Sequence, residues 1–305
     1  MSKIQIIIAT FNRPNLILRS IESALKQTFK DFELIVSDNS TNNDTKDIIS
    51  KNNYQNITYK KRDKYLSGIE HLNTILNEIN SEYFIIFHDD DVMHPEMLNS
   101  LFSKLATHND ILAVGCNAVV NKNNIKQNKL FSNLKIDKII ERQSQLIEAY
   151  SINKTFVPFP SYLYKKEIAQ NLRFNINNGG KFCDLAFLCE ILNYGKIYFI
   201  SKPFMTYYIH KNQDTSKHEF LDKIKLINYL KNCLIGNNNV KAINIIRSEN
   251  IYAELKFLIL NKIKKNIQPK RFIKQSSIIY KHLGLKMLSK LFFLHLLHVK
   301  NLIYK

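Results

Sequence analysis

The 305-residue chain has no tryptophan, few glycines (seven) and few prolines (six), and four cysteines. Each shortage excludes something. The first glycine is Gly68, so the opening strand and turn lack the glycine-rich loop that cradles phosphates in sugar-phosphate nucleotidyltransferases. Cys116, Cys183, Cys189 and Cys233 show no C-x-x-C spacing and lie in apolar contexts, which argues against a zinc site or a disulfide framework and for a reducing cytosol. No uninterrupted apolar run reaches the roughly 18 residues of a spanning helix. Met1-Ser2-Lys3 leads into a strand pattern rather than a signal peptide, so a protein that does not cross a membrane is expected. Acids are scarce late in the chain. Residues 223–305 hold 17 Lys and Arg against Glu249 and Glu254, placing +15 of the total +18 there. An anionic partner follows from that asymmetry, either nucleic acid or the cytoplasmic face of a membrane.

What is present begins with Tyr83-Phe84-Ile85-Ile86-Phe87-His88-Asp89-Asp90-Asp91, an apolar run ending in three carboxylates. A continuous run of this kind predicts a strand buried on both faces in a parallel sheet, with the carboxylates at its carboxyl end, where open α/β sheets bind ligands. Ionised carboxylates about 4 Å apart repel by on the order of 4 kcal/mol at an effective dielectric near 20. A hard divalent cation, Mg²⁺ or Mn²⁺, relieves that repulsion and leaves positions for substrate phosphates. Read alone, the same residues could simply be a charged turn opening the helix at Pro95-Glu96.

The spacing predicts further buried strands at Lys3–Thr10 and Phe32–Val36, a weaker one at Asn56–Arg62, and helices after Pro14, over Ser67–Ile79 and from Pro95 to about Ala106. This alternation calls for a mostly parallel, Rossmann-like sheet with helices on both faces. A strand near Leu112–Val120 follows, and the polar stretch Asn121–Asp137 reads as a surface loop. Beyond it come a helix near Glu141–Tyr150, a break at Asn177-Asn178-Gly179-Gly180, a helix over Lys181–Leu192, and two short strands, Ile197–Ile200 and Met205–Ile209. From about Phe220 the pattern is helical. A catalytic domain over residues 1–220 and a basic helical region over 221–305 are expected.

Three strand ends thus deliver Thr10–Arg13, Asp38–Ser40 and His88–Asp91 to one sheet edge. The elements Ala9-Thr10-Phe11-Asn12-Arg13, Ser37-Asp38-Asn39-Ser40, Asp89-Asp90-Asp91 with Pro95-Glu96, Asp184 before a Leu-rich helix, and Pro203 through His210 follow one another in an order that resembles family 2, the large family of inverting glycosyltransferases with the GT-A fold. The resemblance spans about residues 3–216. It implies a nucleotide pocket from Thr10, Phe11, Asn12, Arg13, Asp38, Asp89 and Asp90, with Asp38 hydrogen-bonded to the nucleobase. It implies a Mn²⁺ or Mg²⁺ ion held by Asp89, Asp91 and His210, and Asp184 as catalytic base. Ala9, Ser37, Asn39, His88 and Tyr208 depart from the family's usual residues. Asp184 alone could be a first-turn acid of its helix. Glu190 is the next candidate for the base.

On a wheel over residues 283–304, Lys286, Lys290 and Lys300 share a stripe with Phe293, Leu297 and Tyr304, while Leu288, Leu291, Phe292, Val299 and Leu302 fill the other side. Such a helix suits an anionic membrane interface; the alternative is a terminal helix packed on the catalytic domain with snorkelling lysines. The expected function is transfer of a sugar from a nucleotide donor, UDP-linked, to a glycan or polyprenyl-diphosphate-linked acceptor in bacterial surface polysaccharide assembly, such as O-antigen or capsule. The enzyme is expected in the cytoplasm, peripheral to the inner face of the membrane. A nucleotidyltransferase and a non-catalytic membrane- or nucleic-acid-binding protein are the alternatives. No nucleic-acid motif supports the latter, and it leaves the acidic cluster unexplained.

Overall fold

A computed structural model describes residues 2–122, 125–151, 158–210, 220–234, 241–250 and 253. The expectations for the tail helix over 283–304 lie outside the described residues. The chain divides into two compact units, Met1–Ile243 and Asn244–Lys305; of the second, residues 244–250 and 253 are described and helical. No described helix is long and apolar enough to cross a membrane.

The first half follows the strand-helix alternation: β1 (Ile4–Thr10), α1 (Pro14–Leu25), β2 (Phe32–Asp38), α2 (Asp44–Lys51), β3 (Ile57–Lys61), α3 (Gly68–Asn77) and β4 (Tyr83–His88). A two-residue strand β5 (Val92–Met93) and α4 (Met97–Thr107) come next. Then follow β6 (Ile111–Lys122), β7 (Ile125–Leu130), β8 (Lys138–Ile140), α5 (Gln143–Ser151), β9 (Leu163–Lys165), α6 (Lys166–Asn171), α7 (Cys183–Ile191), β10 (Lys196–Ile209) and α8 (Phe220–Cys233). The strands form one sheet in the order β3-β2-β1-β4-β9-β6-β10-β5, with β7 on β6 and β8 on β10. The strands β3, β2, β1 and β4 are parallel, β9 is antiparallel to both its neighbours, and β6 and β10 are parallel again.

Period-two alternation explains the two cores. Ile4, Ile6 and Ile8 of β1 face Ile17, Ile21 and Ala24 of α1 and Leu98, Leu101 and Leu105 of α4, all buried. Each such aliphatic side chain contributes about 1.5–3 kcal/mol by leaving water. The opposite face carries aromatic rings: Phe84 stacks on Tyr164 (5.1 Å), Tyr164 meets Phe187 of α7 edge-on, and Phe187 stacks on Phe174 at 4.1 Å. Gly115 of β6 makes room for this layer, since a Cβ there would come within 2.6 Å of the Tyr162 ring.

Two elements differ from the sequence reading. The polar stretch after Val120 is not one loop: β6 runs on to Lys122, and β7 pairs antiparallel with it and, among the described residues, with no other strand. An edge strand keeps one side to water and is protected by charge, so its Asn and Lys content resembles that of a loop. The two short strands expected between 197 and 209 are one strand, β10, whose register against β6 shifts around Pro203, a residue with no N–H to give to the ladder.

Candidate active site

The parallel register sets Thr10 beside Asp38 and Ala9 beside His88, so three chain segments leave the sheet at one edge. Asn12 fastens two of them. Its backbone takes φ +53°, a conformation asparagine tolerates. Its N–H donates to Ser40 Oγ (2.8 Å), and its Oδ1 accepts from Thr41 N (3.0 Å). Asn39 ties in the β3–α3 loop, its amide donating to Leu66 O at 2.8 Å and accepting from Leu66 N at 3.0 Å. The result displays two aromatic rings to solvent, Phe11 (41% exposed) and Tyr65 (64%), with centroids 5.6 Å apart.

Asp38 is fully buried and already engaged. Its Oδ1 accepts from Ser40 N (2.8 Å), and its Oδ2 accepts from Tyr59 Oη (2.6 Å) and Lys61 Nζ (3.3 Å). Three of the roughly four acceptor positions of this carboxylate are thus taken from within the chain. The neighbouring Ser37 turns to His71 Nε2 (2.7 Å) and Arg62, and burial together with the Arg62 charge pushes the His71 pKa down to about 4.

The three consecutive aspartates have three different surroundings. Asp89 accepts from Thr10 Oγ1 (2.7 Å) and pairs with Arg13 (3.1 Å); burial raises its pKa, with Arg13 opposing. Asp90 Oδ2 meets His210 Nε2 at 2.9 Å and Arg13 at 3.4 Å. Asp91 accepts from Tyr208 N through Oδ1 (2.9 Å), while its buried Oδ2 has no hydrogen-bond partner among the described residues and lies 3.8 Å from His88 Nδ1. Burial first and the Asp90 charge second push the Asp91 carboxyl well above the usual range. Among the described residues, His88, Asp90 and Asp91 form the group whose donor atoms lie within 4.8 Å of one another. Of the ligands expected from sequence, Asp91 belongs to this group, His210 joins it through Asp90, and Asp89 is drawn aside by Thr10 and Arg13. An orphaned buried carboxylate oxygen beside an imidazole suits a divalent cation, since it is costly to bury with neither a donor nor an ion.

Four residues that the sequence reading passed over hold this turn in place, all from the polar flank of α1 and its C-terminal end. Arg19 donates to Asp90 O and lies over the Tyr208 ring at 3.7 Å. Ser20 Oγ donates to Asp91 O (2.7 Å), and Ser23 Oγ accepts from Met93 N (3.0 Å). The buried Gln27 donates to His94 O (2.8 Å) and accepts from Leu98 N (2.9 Å). Ser20, Ser23 and Gln27 are polar yet buried, and at helical spacing that combination is the signal that marks them. On the other side, β5 pairs antiparallel with Met205 and Thr206 of β10, which leads to His210.

Asp184 stands in the first turn of α7, entered through Gly179 (φ +137°) and Gly180 (φ +58°). A side chain on Gly180 would strike Asp222 of α8. Leu185 N donates to Asp184 Oδ1 (2.8 Å). Desolvation raises the Asp184 pKa, and the nearby His88 works against that rise. Burial raises the Tyr207 hydroxyl pKa, and the charges of Asp91, Asp90 and Asp184 raise it further. Glu190, farther along α7, is bound by Tyr229 Oη and Asn193 Nδ2.

The sheet is of the GT-A type, with carboxylates at its carboxyl edge. The chain belongs to glycosyl transferase family 2, whose model matches residues 5–173. It is 28% identical over 219 residues, 71% of this chain and 68% of the relative, to GalNAc(5)-diNAcBac-PP-undecaprenol beta-1,3-glucosyltransferase of Campylobacter jejuni. It is 27% identical over 230 residues, 73% of this chain and 67% of the relative, to the poly(ribitol-phosphate) beta-N-acetylglucosaminyltransferase TarP of Staphylococcus aureus. Among solved structures, residues 1–349 of S. aureus TarS in complex with UDP superpose with a TM-score of 0.60 at 16% identity, covering 88% of this chain and 76% of that one. The mannosyltransferase PcManGT from Pyrobaculum calidifontis, with GDP-Man and Mn²⁺, gives 0.54 at 12% identity, covering 93% and 88%.

Proposed function

We propose that the enzyme transfers a sugar from a UDP-linked donor to a glycan or polyprenyl-diphosphate-linked acceptor in one metal-dependent, inverting displacement. The observation that carries this reading is the meeting of Asp90 and His210, 120 residues apart, at 2.9 Å on the sheet edge that also holds the loops of Thr10 and Asp38. Phe11 and Tyr65 flank the nucleobase. Thr10 and Arg13 act through Asp89 and Asp90, setting the carboxylates rather than touching the base. A divalent cation at Asp90, when bound, neutralises charge growing on the departing nucleoside diphosphate. Asp184 takes the proton of the acceptor hydroxyl as that oxygen attacks the anomeric carbon from the face opposite the diphosphate, and its desolvated carboxyl is a stronger base than an ordinary aspartate.

The names of relatives support the donor and acceptor classes: one acts on a PP-undecaprenol-linked glycan, another is a UDP-Glc enzyme acting on an α-D-GlcNAc-diphosphoundecaprenol, and TarS has been crystallised with UDP-GlcNAc. The +15 charge of residues 223–305 fits an acceptor embedded in an anionic surface, and we place the enzyme at the inner face of the membrane on that ground. The test is UDP release from a panel of UDP-sugars with Mn²⁺ and a lipid-diphosphate glycan. Asp184→Asn is expected to lose about 10²- to 10⁴-fold in rate while still binding UDP. Near-normal turnover by that variant, or undiminished turnover with chelator, would overturn the reading.

A further inference from the structure

The proposed function requires a cation but does not say which one, and the residues around Asp90 bear on that choice. We propose that the centre is a two-histidine site, His88 and His210 with Asp90 and Asp91, and that His88 makes it select Mn²⁺ over Mg²⁺. This inference rests on the metal-dependent reading above and adds a ligand and a selectivity to it.

The first observation is the grouping of His88, Asp90 and Asp91 donors, with His210 Nε2 directly on Asp90 Oδ2. The second is independent of it: Asp91 Oδ2 is buried, has no hydrogen-bond partner among the described residues, and lies 3.8 Å from His88 Nδ1. Donors that share one ion at about 2.1 Å lie roughly 3 Å apart when adjacent and about 4 Å apart when opposed. Both measured separations fall in that range. His88 ends β4, so the sheet fixes its backbone, and its ring lies 6.3 Å from Phe159 while the side chain stays 40% exposed. It can therefore turn its Nδ1 to an ion without unpacking the core.

Selectivity follows from the donor types. Mg²⁺ demands oxygen ligands and gives up water reluctantly. Nitrogen donors instead favour first-row transition ions, in the order that rises from Mn²⁺ through Co²⁺. Two imidazoles with two carboxylates leave the ion charge balanced and positions open for diphosphate oxygens. A carboxylate in place of His88 would add an oxygen donor and a negative charge, and so would shift the site toward Mg²⁺.

The experiment uses the full chain with UDP. Mn²⁺ affinity is read from the free-ion EPR signal and nitrogen ligation from electron spin echo modulation, with Mg²⁺ as competitor. Wild type is expected to show two coupled imidazole nitrogens. His88→Asn should lose one of them and about tenfold or more in Mn²⁺ affinity, as ligand-shell changes do. His88→Asp should narrow the Mn²⁺/Mg²⁺ ratio by a similar factor, and both variants should unfold without metal at the wild-type temperature. A single nitrogen in wild type, unchanged in His88→Asn, would overturn the two-histidine site while leaving the metal-dependent enzyme intact. No Mn²⁺ binding by wild type with UDP would overturn both.

Discussion

Asp38 and Asp91 are both fully buried carboxylates near the ends of adjacent parts of one sheet, and they have opposite surroundings. Asp38 accepts from Ser40 N, Tyr59 Oη and Lys61 Nζ, so both oxygens are satisfied from within the chain. Asp91 has the Tyr208 amide on one oxygen and, among the described residues, no hydrogen-bond donor on the other, which lies 3.8 Å from His88 Nδ1. A buried charge is tolerated only when it is paired and hydrogen-bonded. The first carboxylate therefore braces the turns that end β1 and β2, and the second is the one our proposal gives to a cation. On that proposal the edge at β1, β2 and β3 is complete before any ligand arrives, and the edge at β4 and β10 is completed by one.

The largest effect that breaks this comparison belongs to Asp90, which touches both His210 and Arg13. Asp90→Asn removes one of the carboxylates proposed to hold the cation, and metal stabilisation of charge on a phosphoryl oxygen is worth several kcal/mol. Turnover should fall by about 10³-fold or more, with UDP still bound but Mn²⁺ no longer raising the unfolding temperature. Turnover within tenfold of wild type would show that the cation lies elsewhere.

Asp91 and Asp38 should respond in opposite directions to the same change. Burial holds the Asp91 pKa above its unfolded value. The metal-free fold therefore binds the extra proton, and its stability falls as pH rises from about 4 through the folded pKa. Asp91→Asn removes that titration while keeping an acceptor for Tyr208 N. Metal-free protein should be equally or more stable at pH 7 and flatter across pH 4–7, and should lose Mn²⁺ stabilisation. Asp38→Asn leaves Lys61 and Tyr59 without their carboxylate and should cost roughly 1–3 kcal/mol, with Mn²⁺ affinity unchanged. Denaturant melts of both variants, with and without Mn²⁺, check the pair; equal losses in the two would remove the distinction.

How much of this was legible in the sequence depends on which signal each element sends. The strands β1, β2 and β4 and the polar turns that end them are plain, because strands buried on both faces read as unbroken apolar runs. The β6–β7 hairpin is hidden by its polar edge. The different surroundings of three adjacent aspartates could not be read from spacing, because they depend on partners remote in sequence: Thr10 and Arg13 draw Asp89 aside, and Tyr208 takes one oxygen of Asp91. Ser20, Ser23 and Gln27 escape a periodicity count that scores only apolar positions, although they hold Asp91, Met93, His94 and Leu98 by their backbones.

The smallest effect sharpens the claim that the nucleotide edge is built in advance. Ser67 opens α3 with a capping box, its hydroxyl accepting from Glu70 N (3.3 Å) while its own N–H donates to Glu70 Oε2 (2.8 Å). The residue before it, Leu66, is the one that Asn39 clamps, and Tyr65 precedes that. Ser67→Ala should cost about 1 kcal/mol of stability, as lost caps do. The fraying should reach Tyr65 and loosen the hold on the base that we propose for it. Because base binding is the same in the ground and transition states, its loss should raise KM for the UDP-sugar a few-fold and leave kcat unchanged. A fall in kcat at constant KM would mean that the β3–α3 loop shapes the reacting centre itself, and the separation between a finished nucleotide edge and a cation-completed edge would not hold.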